Sequence, residues 1–374
     1  INLESEGIVG GKKQKIAQKV TIPTTNNEMK VLQYSLGTHS SCKSSSCYGE
    51  GNIFLHGGIK IEGDILAEKN LITSDLGYTV LDWERWIPSV FPYLSGIGGK
   101  AAKIVLGGHI YTFSENLAYD QHIKRDAFWS NIYSEQTNHP ENAFTYPNGQ
   151  APIIEKRTVE KTEIKISDNI AHFKNTVKNP QSLSKDQLSY IKGKGLYEIV
   201  PNDHSNKNAV KLKRQIDKNA TANGYVFAGK YIFNQLYSEV PIYASGNKVN
   251  STTIDITAKN GAYINGGLVI GNQSNAYDVR TYEKVKIDGT YYVDGDVEIK
   301  GADSEFNAIM YVNGNVTIEY SRIRGLEKNS KEGTLIIFAT GDIKIRNMNA
   351  FINPDTLASI SQIKGFFYSE KMAE

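Results

Sequence analysis

Short segments that alternate apolar and polar residues recur along the chain, and three of them open in the same way. Each begins with glycine and a small polar residue, which favours a turn, and continues with β-branched residues at every second position. A period of two places those apolar side chains on one face of a strand. The three segments, which start 19 and 27 residues apart, are Gly295-Asp296-Val297-Glu298-Ile299, Gly314-Asn315-Val316-Thr317-Ile318 and Gly341-Asp342-Ile343-Lys344-Ile345.

Recurrence at about one solenoid turn, with no helical pattern between the segments, predicts a mainly β fold. We expect a right-handed β-helix or β-solenoid. The same alternation returns over residues 52–73, 101–113 and 240–270, and Gly63-Asp64-Ile65 repeats the opening phrase. Leu335-Ile336-Ile337-Phe338 is more apolar than its neighbours, which predicts a strand that is covered on both faces.

The pattern divides the chain into four parts. Residues 1–36 are predicted to form an N-terminal arm, residues 37–113 a first β-solenoid segment, and residues 236–374 the main β-solenoid segment. Residues 114–235 fit the alternation least and are predicted to form an inserted α/β subdomain. Ser184 and Gln187 there have the spacing of a capping box, which predicts a short helix.

Composition narrows the class of protein without identifying a partner. A formal charge of +2 over 374 residues gives no overall attraction to polyanions, and we expect no nucleic-acid partner. No stretch is long and apolar enough to cross a bilayer. Because the first residue is Ile1 rather than Met, we expect a processed chain, in which a membrane anchor could have preceded Ile1.

The two cysteines are separated by a short serine-rich loop, Cys42-Lys-Ser-Ser-Ser-Cys47. Two cysteines without further ligands make a poor zinc site, which normally has four ligands. A disulfide between Cys42 and Cys47 is the expectation for an exported protein, and two free surface thiols are the alternative.

The strongest candidate for a ligand site is the acidic row Asp294, Asp296 and Glu298, at a period of two. Such a row can bind Ca²⁺ or supply the two carboxylates of a polysaccharide hydrolase. An outward, solvated strand face shows the same pattern, and Lys300 follows on that face. His56 and His109, each beside two glycines, could meet on neighbouring turns, although a histidine beside a turn is usually a surface residue.

Motifs of known catalytic chemistry are absent from the sequence. It contains no Gly-x-Ser-x-Gly, phosphate-binding loop, His-Glu-x-x-His or dinucleotide fingerprint, so we predict no catalytic residue, no resident metal and no cofactor. A basic run over residues 207–218 could contact an anionic surface polymer or nucleic acid, although most such runs are solvated faces.

The repeated Gly-Asp-Ile/Val phrases, at Gly63, Gly295 and Gly341, resemble those of right-handed β-helical proteins such as the bactofilins. The stretch Gly333-Thr334-Leu335-Ile336-Ile337-Phe338-Ala339-Thr340-Gly341-Asp342-Ile343, with Gly365-Phe366-Phe367-Tyr368-Ser369, more closely resembles PilX-like surface proteins of Gram-positive bacteria that are linked to pilus assembly. That resemblance implies a β-rich ectodomain, held by an N-terminal membrane helix. It implies no catalytic motif.

We therefore expect an extracellular or cell-surface protein that acts as a structural or adhesive element of a bacterial envelope. Its partners would be other envelope or pilus proteins, or surface polysaccharide, and it would meet the membrane only through an anchor outside this chain. The main alternative is a polysaccharide-active β-helix enzyme, a lyase or a hydrolase. Three or more carboxylates with an Arg or Lys in one groove would favour that enzyme, whereas dispersed charge on the outward face would favour the structural protein. A self-assembling filament subunit is a third possibility.

Overall fold

Strands dominate the computed structural model, which describes residues 2–9, 12–19, 31–40, 47, 49–79, 85–113, 133–147, 149–159, 164–217, 220–246, 253–276, 281–346 and 363–373. The described residues contain one α-helix, α1 (Ile166–Thr176), and 3₁₀ turns at Ile97–Gly99, Pro140–Ala143, Lys185–Gln187 and Gln273–Asn275.

The strands before the helix, in chain order, are β1 (Asn2–Val9), β2 (Lys12–Lys19), β3 (Tyr34–Thr38), β4 (Ile53–Leu55), β5 (Lys60–Glu62), β6 (Asp64–Ala67), β7 (Leu71–Ser74), β8 (Leu76–Thr79), β9 (Arg85–Pro88), β10 (Tyr93–Ser95), β11 (Lys103–Leu106), β12 (Ile110–Phe113), β13 (Tyr133–Glu135) and β14 (Ile153–Lys156). The strands after it are β15 (Pro180–Ser182), β16 (Leu188–Ile191), β17 (Leu196–Ile199), β18 (Asp203–His204), β19 (Ala209–Leu212), β20 (Gln215–Asp217), β21 (Ala220–Thr221), β22 (Gly224–Val226), β23 (Lys230–Phe233), β24 (Leu236–Ser238), β25 (Ile242–Ala244), β26 (Ile254–Asn265), β27 (Leu268–Ile270), β28 (Glu283–Asp294), β29 (Val297–Lys300), β30 (Ala302–Val312), β31 (Val316–Glu319), β32 (Arg322–Gly325), β33 (Glu327–Lys328), β34 (Lys331–Glu332), β35 (Leu335–Ala339), β36 (Ile343–Arg346) and β37 (Gly365–Ser369).

The largest sheet has 15 strands, and a path of twelve of them crosses it with every pair parallel. Their order is β14-β11-β6-β3-β37-β35-β30-β28-β26-β24-β19-β15. The chain enters this sheet in the middle, at β3, and builds outward to the edge at β14. It then resumes at the opposite edge, with β15, and works back toward the middle. As a result, β37 lies between β35 and β3, and strands from the two ends of the chain are neighbours.

A second series of strands repeats this arrangement. Eight strands follow the order β16-β17-β22-β25-β27-β29-β31-β36, and a four-stranded sheet has the order β13-β12-β7-β4. Ala373 bridges Ile343 of β36 and Ile53 of β4, so it links the two sheets. In both series, therefore, strands from the first part of the chain are joined to strands from the last part. We call this junction, formed by β3 with β37 and by β4 and β36 with Ala373, the seam.

The three repeated segments of the sequence lie side by side in the eight-stranded sheet. Val297 is in register with Val316, and Val316 is in register with Ile343, so the predicted strands and their common phase are confirmed. The similar segment Gly63-Asp64-Ile65 instead enters β6 of the 15-stranded sheet, where Ile65 pairs with Ile104. The same short phrase thus serves two different sheets.

Apolar side chains from these sheets form a long core with two clusters. One contains Val297 and Ile343 and the other contains Ile65, all of which are at most 1% exposed. Leu36 on β3 packs against both clusters and so joins them at the seam. The five residues of β35 are all buried and alternate between this core and a cluster on the outer face, which confirms the prediction of a strand covered on both faces.

The outer face of the 15-stranded sheet carries a row of aromatic side chains in direct register. Consecutive strands contribute Tyr237, Tyr263, Tyr292, Tyr311, Phe338 and Tyr368. The row ends on β3 at Gly37, where a Cβ atom would stand 3.0 Å from the Tyr368 ring. Neighbouring rings are about 5 Å apart, a separation at which aromatic pairs attract beyond simple burial.

Helix α1 covers this aromatic row. Ile166, Ile170 and Phe173 are its buried residues, and their spacing puts them on one face. The Phe173 ring stacks on Tyr292 with centroids 4.4 Å apart. Gly261, at φ +99°, makes this contact possible, because a Cβ there would lie 2.6 Å from the Phe173 ring.

Two parts of the predicted domain division differ from the structure. Apart from the antiparallel pair β20–β21, the strands from β15 to β24 extend the two main sheets, whereas residues 114–235 were predicted to form a separate α/β subdomain. The Ser184–Gln187 capping box is present, but the segment is a single 3₁₀ turn. The expected N-terminal arm contains the antiparallel pair β1–β2, and its last residues begin β3 of the largest sheet. Residues 114–132 of the predicted subdomain lie outside the described residues.

The Phe173–Gly261 contact leads to a first prediction. Phe173→Ala should lower the free energy of unfolding by about 3 kcal/mol, because it removes a buried ring. Gly261→Ala should also destabilise the protein, through the clash with that ring and through backbone strain at positive φ. In the double variant the clash is gone, so its loss of unfolding free energy should be smaller than the sum of the losses in the two single variants. Urea unfolding measures all three, with exposed His172→Ala as the control, and strict additivity would contradict the packing described.

Candidate functional site

The acidic residues predicted as a ligand face are divided between two strands and a turn. Asp294 ends β28, Asp296 lies in the turn and Glu298 is in β29. Gly295, at φ +146°, separates the two strands, so the period of two in the sequence does not correspond to one strand face. The three carboxylates do not form a single row.

Two of these carboxylates accept hydrogen bonds from neighbouring strands. Asn313 donates its side-chain N–H to Asp294 Oδ1 at 2.9 Å, and Tyr263 donates its hydroxyl to Oδ2 at 3.4 Å. The backbone N–H of Asn315 donates to Asp296 Oδ1 at 2.7 Å. No group of three or more His, Cys, Asp or Glu with a metal-binding arrangement occurs within the described part of the chain. A ligand role for Asp294, Asp296 and Glu298 stays a prediction.

The repeated Gly-Asp/Asn phrase builds a hydrogen-bond ladder where the chain passes from one sheet to the other. The backbone N–H of Asn315 donates to Asp296 Oδ1. One strand further along, the backbone N–H of Asp342 donates to Asn315 Oδ1 at 3.0 Å. The turns approach so closely that a Cβ on Gly314 would be 2.6 Å from the Gly295 carbonyl oxygen. Glycine is therefore required for the approach, and Asp or Asn satisfies the backbone N–H of the next turn.

A ladder of the same kind occurs in the four-stranded sheet, where Asn52 follows Gly51 as in the repeated phrase and Asn70 follows Lys69. Asn52 Oδ1 accepts the backbone N–H of Asn70 at 3.0 Å, and Asn70 Oδ1 accepts the backbone N–H of His109 at 2.9 Å. Sequence analysis identified the glycines and small polar residues as turns but did not assign this bonding role. The signal was present in the phrase, since only Asp and Asn occupy the position after glycine in the three aligned segments.

The predicted histidine and cysteine sites have different outcomes. His56 follows the last residue of β4, whereas His109 precedes the first residue of β12, so they lie at opposite ends of parallel strands and cannot share a metal. His109 Nδ1 instead lies 2.6 Å from Glu135 Oε1. Cys47 is half-buried, but Cys42 lies outside the described residues, so the disulfide between them stays a prediction.

Charged side chains on the outward face alternate in sign from strand to strand. Lys286 Nζ is 3.1 Å from Glu305 Oε2, and Arg324 Nη2 is 3.8 Å from Glu305 Oε1. A shorter row of the same kind runs through Lys300, Glu319 and Arg346 of the eight-stranded sheet. The longest row, in strict register over five strands, consists of Lys230, Asp255, Lys286, Glu305 and Arg324.

One groove interrupts this outward face. Its volume is about 240 Å³, and the charged residues that line it are Glu305, Arg324, Glu327, Glu332 and Lys364. Gly325 lines the same groove at the end of β32. Three carboxylates with an arginine and a lysine in one groove meet the criterion that favours a polysaccharide-active enzyme.

The wall of the groove is the β33–β34 hairpin. Its two turn residues, Asn329 and Ser330, both have positive φ, as a tight hairpin turn requires. Lys328 on this hairpin reaches back across the sheet, and its Nζ lies 2.7 Å from Asp288 Oδ2. Asp288 is 8% exposed, and its other carboxylate oxygen accepts a bond from Asn307 at 2.8 Å. This charge pair, buried at Asp288 and exposed at Lys328, holds the hairpin over the outward face.

Cations of this face neutralise two of the three groove carboxylates. Glu305 lies between Lys286 and Arg324, and Glu332 forms an ion pair with Lys364. Glu327 makes no ion pair within the described residues. The groove can therefore offer hydrogen-bond donors and acceptors to a polar, uncharged ligand, while its net charge stays small.

Comparison with known protein families, with curated proteins and with solved structures found no match for this chain. Among the described helical residues, none form a helix with the length and hydropathy of a membrane span. Function must therefore be inferred from the chain's own residues.

A second prediction follows from the turn ladder. Asp296→Ala removes the acceptor for the Asn315 N–H and should lower the free energy of unfolding by about 1 kcal/mol. Asp296→Asn keeps an acceptor oxygen at the same place and should leave stability close to the wild-type value, because Asn fills the equivalent position at Asn315. Equal loss in both variants, measured by urea unfolding, would mean that the charge and not the bond matters.

A third prediction concerns His204, which is 2% exposed and stacked on Phe233 with ring centroids 5.4 Å apart. Burial lowers the pKa of His204, Lys207 lowers it further and Asp203 opposes both. The unfolded state then binds more protons below its own pKa of about 6.5. Stability should therefore fall as the pH drops below that value, until it passes the folded pKa.

His204→Phe should remove this part of the acid sensitivity. The measurement is the thermal midpoint of wild type and variant between pH 7.5 and 5, taken as the difference between the two proteins. As the pH falls, the thermal midpoint of the variant should rise relative to that of wild type. A difference that does not change with pH would show that His204 has the same pKa in the folded and unfolded states.

Proposed function

We propose that this chain is a structural or adhesive element of a bacterial cell envelope and not an enzyme, built as a right-handed β-solenoid. The observation that carries this proposal is the unbroken parallel path of twelve strands from β14 to β15. At about 4.8 Å between neighbouring strands, this path extends over roughly 50 Å. A wall of that length, with parallel pairing throughout, suits a rigid support that displays loops at a distance.

The distribution of charge supports the same function. Rows that alternate in sign, such as Lys286, Glu305 and Arg324, neutralise the outward face locally and leave dispersed charge. The aromatic row beneath α1 and the hydrogen-bonded turns add lateral support along the same direction. Most of the polar chemistry of the chain is thus used to hold strands together.

The envelope location rests on the resemblance of residues 333–343 and 365–369 to PilX-like surface proteins. On this proposal the full-length protein is extracellular or at the cell surface, held by an anchor outside this chain. Its partners are other envelope or pilus proteins, or surface polysaccharide.

Immunolabelling of the source bacterium tests this fourth prediction. Antibodies against the purified chain should label intact cells about as strongly as permeabilised cells, because the ectodomain is displayed. An antibody against a cytoplasmic protein, which should label only permeabilised cells, is the control. Labelling that requires permeabilisation would refute the surface location.

A polysaccharide-active enzyme is the second candidate, and the groove favours it. Glu305, Glu327 and Glu332 lie with Arg324 and Lys364 around one cavity of suitable polarity for sugar hydroxyls. A glycan array with a lyase and hydrolase screen separates the two functions. Turnover that is lost in Glu327→Gln or Glu332→Gln, but kept in Glu141→Gln outside the groove, would establish the enzyme.

A further inference from the structure

Positive charge is concentrated at one end of the sheets. Residues 164–235 contain twelve Lys and Arg against five Asp and Glu, a net charge of +7, whereas the whole chain has +2. These residues form α1 and the strands from β15 to β23, which include the outermost strands at the β15 edge and at the β16 edge. The remainder of the chain is therefore net acidic, and the charge is segregated along the direction of strand stacking.

Four of these cations meet at one corner, which we call the basic corner: Lys192, Lys194, Lys213 and Arg214. Lys192 and Lys194 lie in the turn between β16 and β17, and the other two directly follow β19. Residues 222 and 223 join the two turns, because the Ala222 N–H donates to the Arg214 carbonyl at 2.5 Å and the Asn223 N–H donates to the Gly195 carbonyl at 2.7 Å. All four side chains are exposed.

The carboxylate of Glu239, which contacts the backbone of this corner, is already occupied. Glu239 Oε1 is 2.8 Å from Lys211 Nζ, and its Oε2 accepts the backbone N–H of Arg214 at 3.1 Å. Within the described part of the chain, none of the four side chains of the basic corner is in an ion pair. This contrasts with the outward rows, where each cation has a carboxylate neighbour, and it leaves four adjacent positive charges available to a partner.

Two aromatic rings beside the basic corner, those of Tyr225 and Tyr197, are buried. Tyr225 is 1% exposed and donates its hydroxyl to the Lys213 carbonyl at 2.8 Å, and Tyr197 is 9% exposed. Nucleic-acid bases bind single-stranded sites largely by stacking on exposed aromatic faces. The corner itself offers cations without such faces, and the nearest exposed ring is Tyr190 on β16, at 53%. This favours a polyanion that has no bases.

We propose that the basic corner binds a linear phosphodiester or polyphosphate chain that carries no bases, such as an anionic polymer of the envelope. Successive phosphates of one chain would contact cations on successive turns, and the release of counterions would supply much of the affinity. The acidic remainder of the protein would keep the polymer at this end. The proposal depends only on charge and geometry, so it can succeed or fail independently of the proposed structural function.

Binding of fluorescently labelled inorganic polyphosphate to the whole chain, followed by anisotropy over a range of salt concentrations, tests this fifth prediction. In the corner variant, Lys192, Lys194, Lys213 and Arg214 are all changed to Gln. It should bind at least tenfold more weakly at 50 mM salt, and the slope of log affinity against log salt should fall by about three. The matched control changes Lys100, Lys156, Lys284 and Arg322 to Gln, which alters net charge equally, and should bind within about twofold of wild type.

Four outcomes would overturn the proposal, provided that circular dichroism shows both variants folded. Wild type could fail to bind polyphosphate at 50 mM salt, or the control could lose as much affinity as the corner variant, which would indicate attraction by net charge alone. Tighter binding of single-stranded DNA than of polyphosphate, with loss of the DNA binding in Tyr190→Ser, would assign the corner to nucleic acid. Equal binding of polyglutamate would remove the preference for phosphate.

Discussion

Parallel pairing imposes the constraint on which the rest of this structure depends. Two parallel strands cannot be joined by a tight hairpin, so each strand must find its neighbour after the chain has travelled elsewhere and returned. Successive turns then lie directly over one another and bring backbone within contact distance of backbone. At Gly314 and Gly341 a Cβ atom would stand 2.6 Å from the carbonyl oxygen of the preceding turn. The bonds from Asp296 to Asn315 and on to Asp342 satisfy the backbone groups that such close turns would otherwise leave unpaired.

At the seam, the strands from the two ends of the chain pair with each other, so the largest sheet has no unpaired strand edge in its middle. Strand β37 pairs with β35 on one side and with β3 on the other, and Ala373 does the same between β36 and β4. Strand edges that remain open attract other strands, so a join of this kind removes two edges at once. It also makes the first and last parts of the chain interdependent. Tyr368 extends the aromatic row to the seam, and Gly37 provides the space for its ring.

The sequence predicted those features of the fold that depend on local pattern. The spacing of 19 and 27 residues led to the parallel register of Val297, Val316 and Ile343, and the apolar run at Leu335 led to a strand buried on both faces. The longer spacing arises because the β33–β34 hairpin is inserted between β32 and β35, which pair with the first and second halves of β30. Local pattern could not reveal that β37 would pair with β3, since the choice of a distant partner depends on the whole stack.

Two misplaced predictions have a common physical cause. Residues 114–235 were assigned to an α/β subdomain because they show the alternation least, and the strands from β15 to β23 are only two to four residues long, too short for a clear alternation. The single strand face expected for Asp294, Asp296 and Glu298 was misplaced because the alternation in the sequence continues across Gly295 although the backbone turns there. Periodicity alone does not distinguish a strand from two short strands that share a phase across a turn.

Charge along this molecule has two different roles, and their contrast bears on function. Where cations and carboxylates alternate across strands, as at Lys286, Glu305 and Arg324, each charge finds its partner within the sheet. Exposed pairs of this kind contribute little to stability, and their main effect is to keep the face neutral and soluble. At the basic corner the alternation ends, because the carboxylate of Glu239 is bonded to Lys211 and to backbone. Unbalanced charge on an otherwise balanced surface creates a local potential that attracts an anionic partner to that place alone.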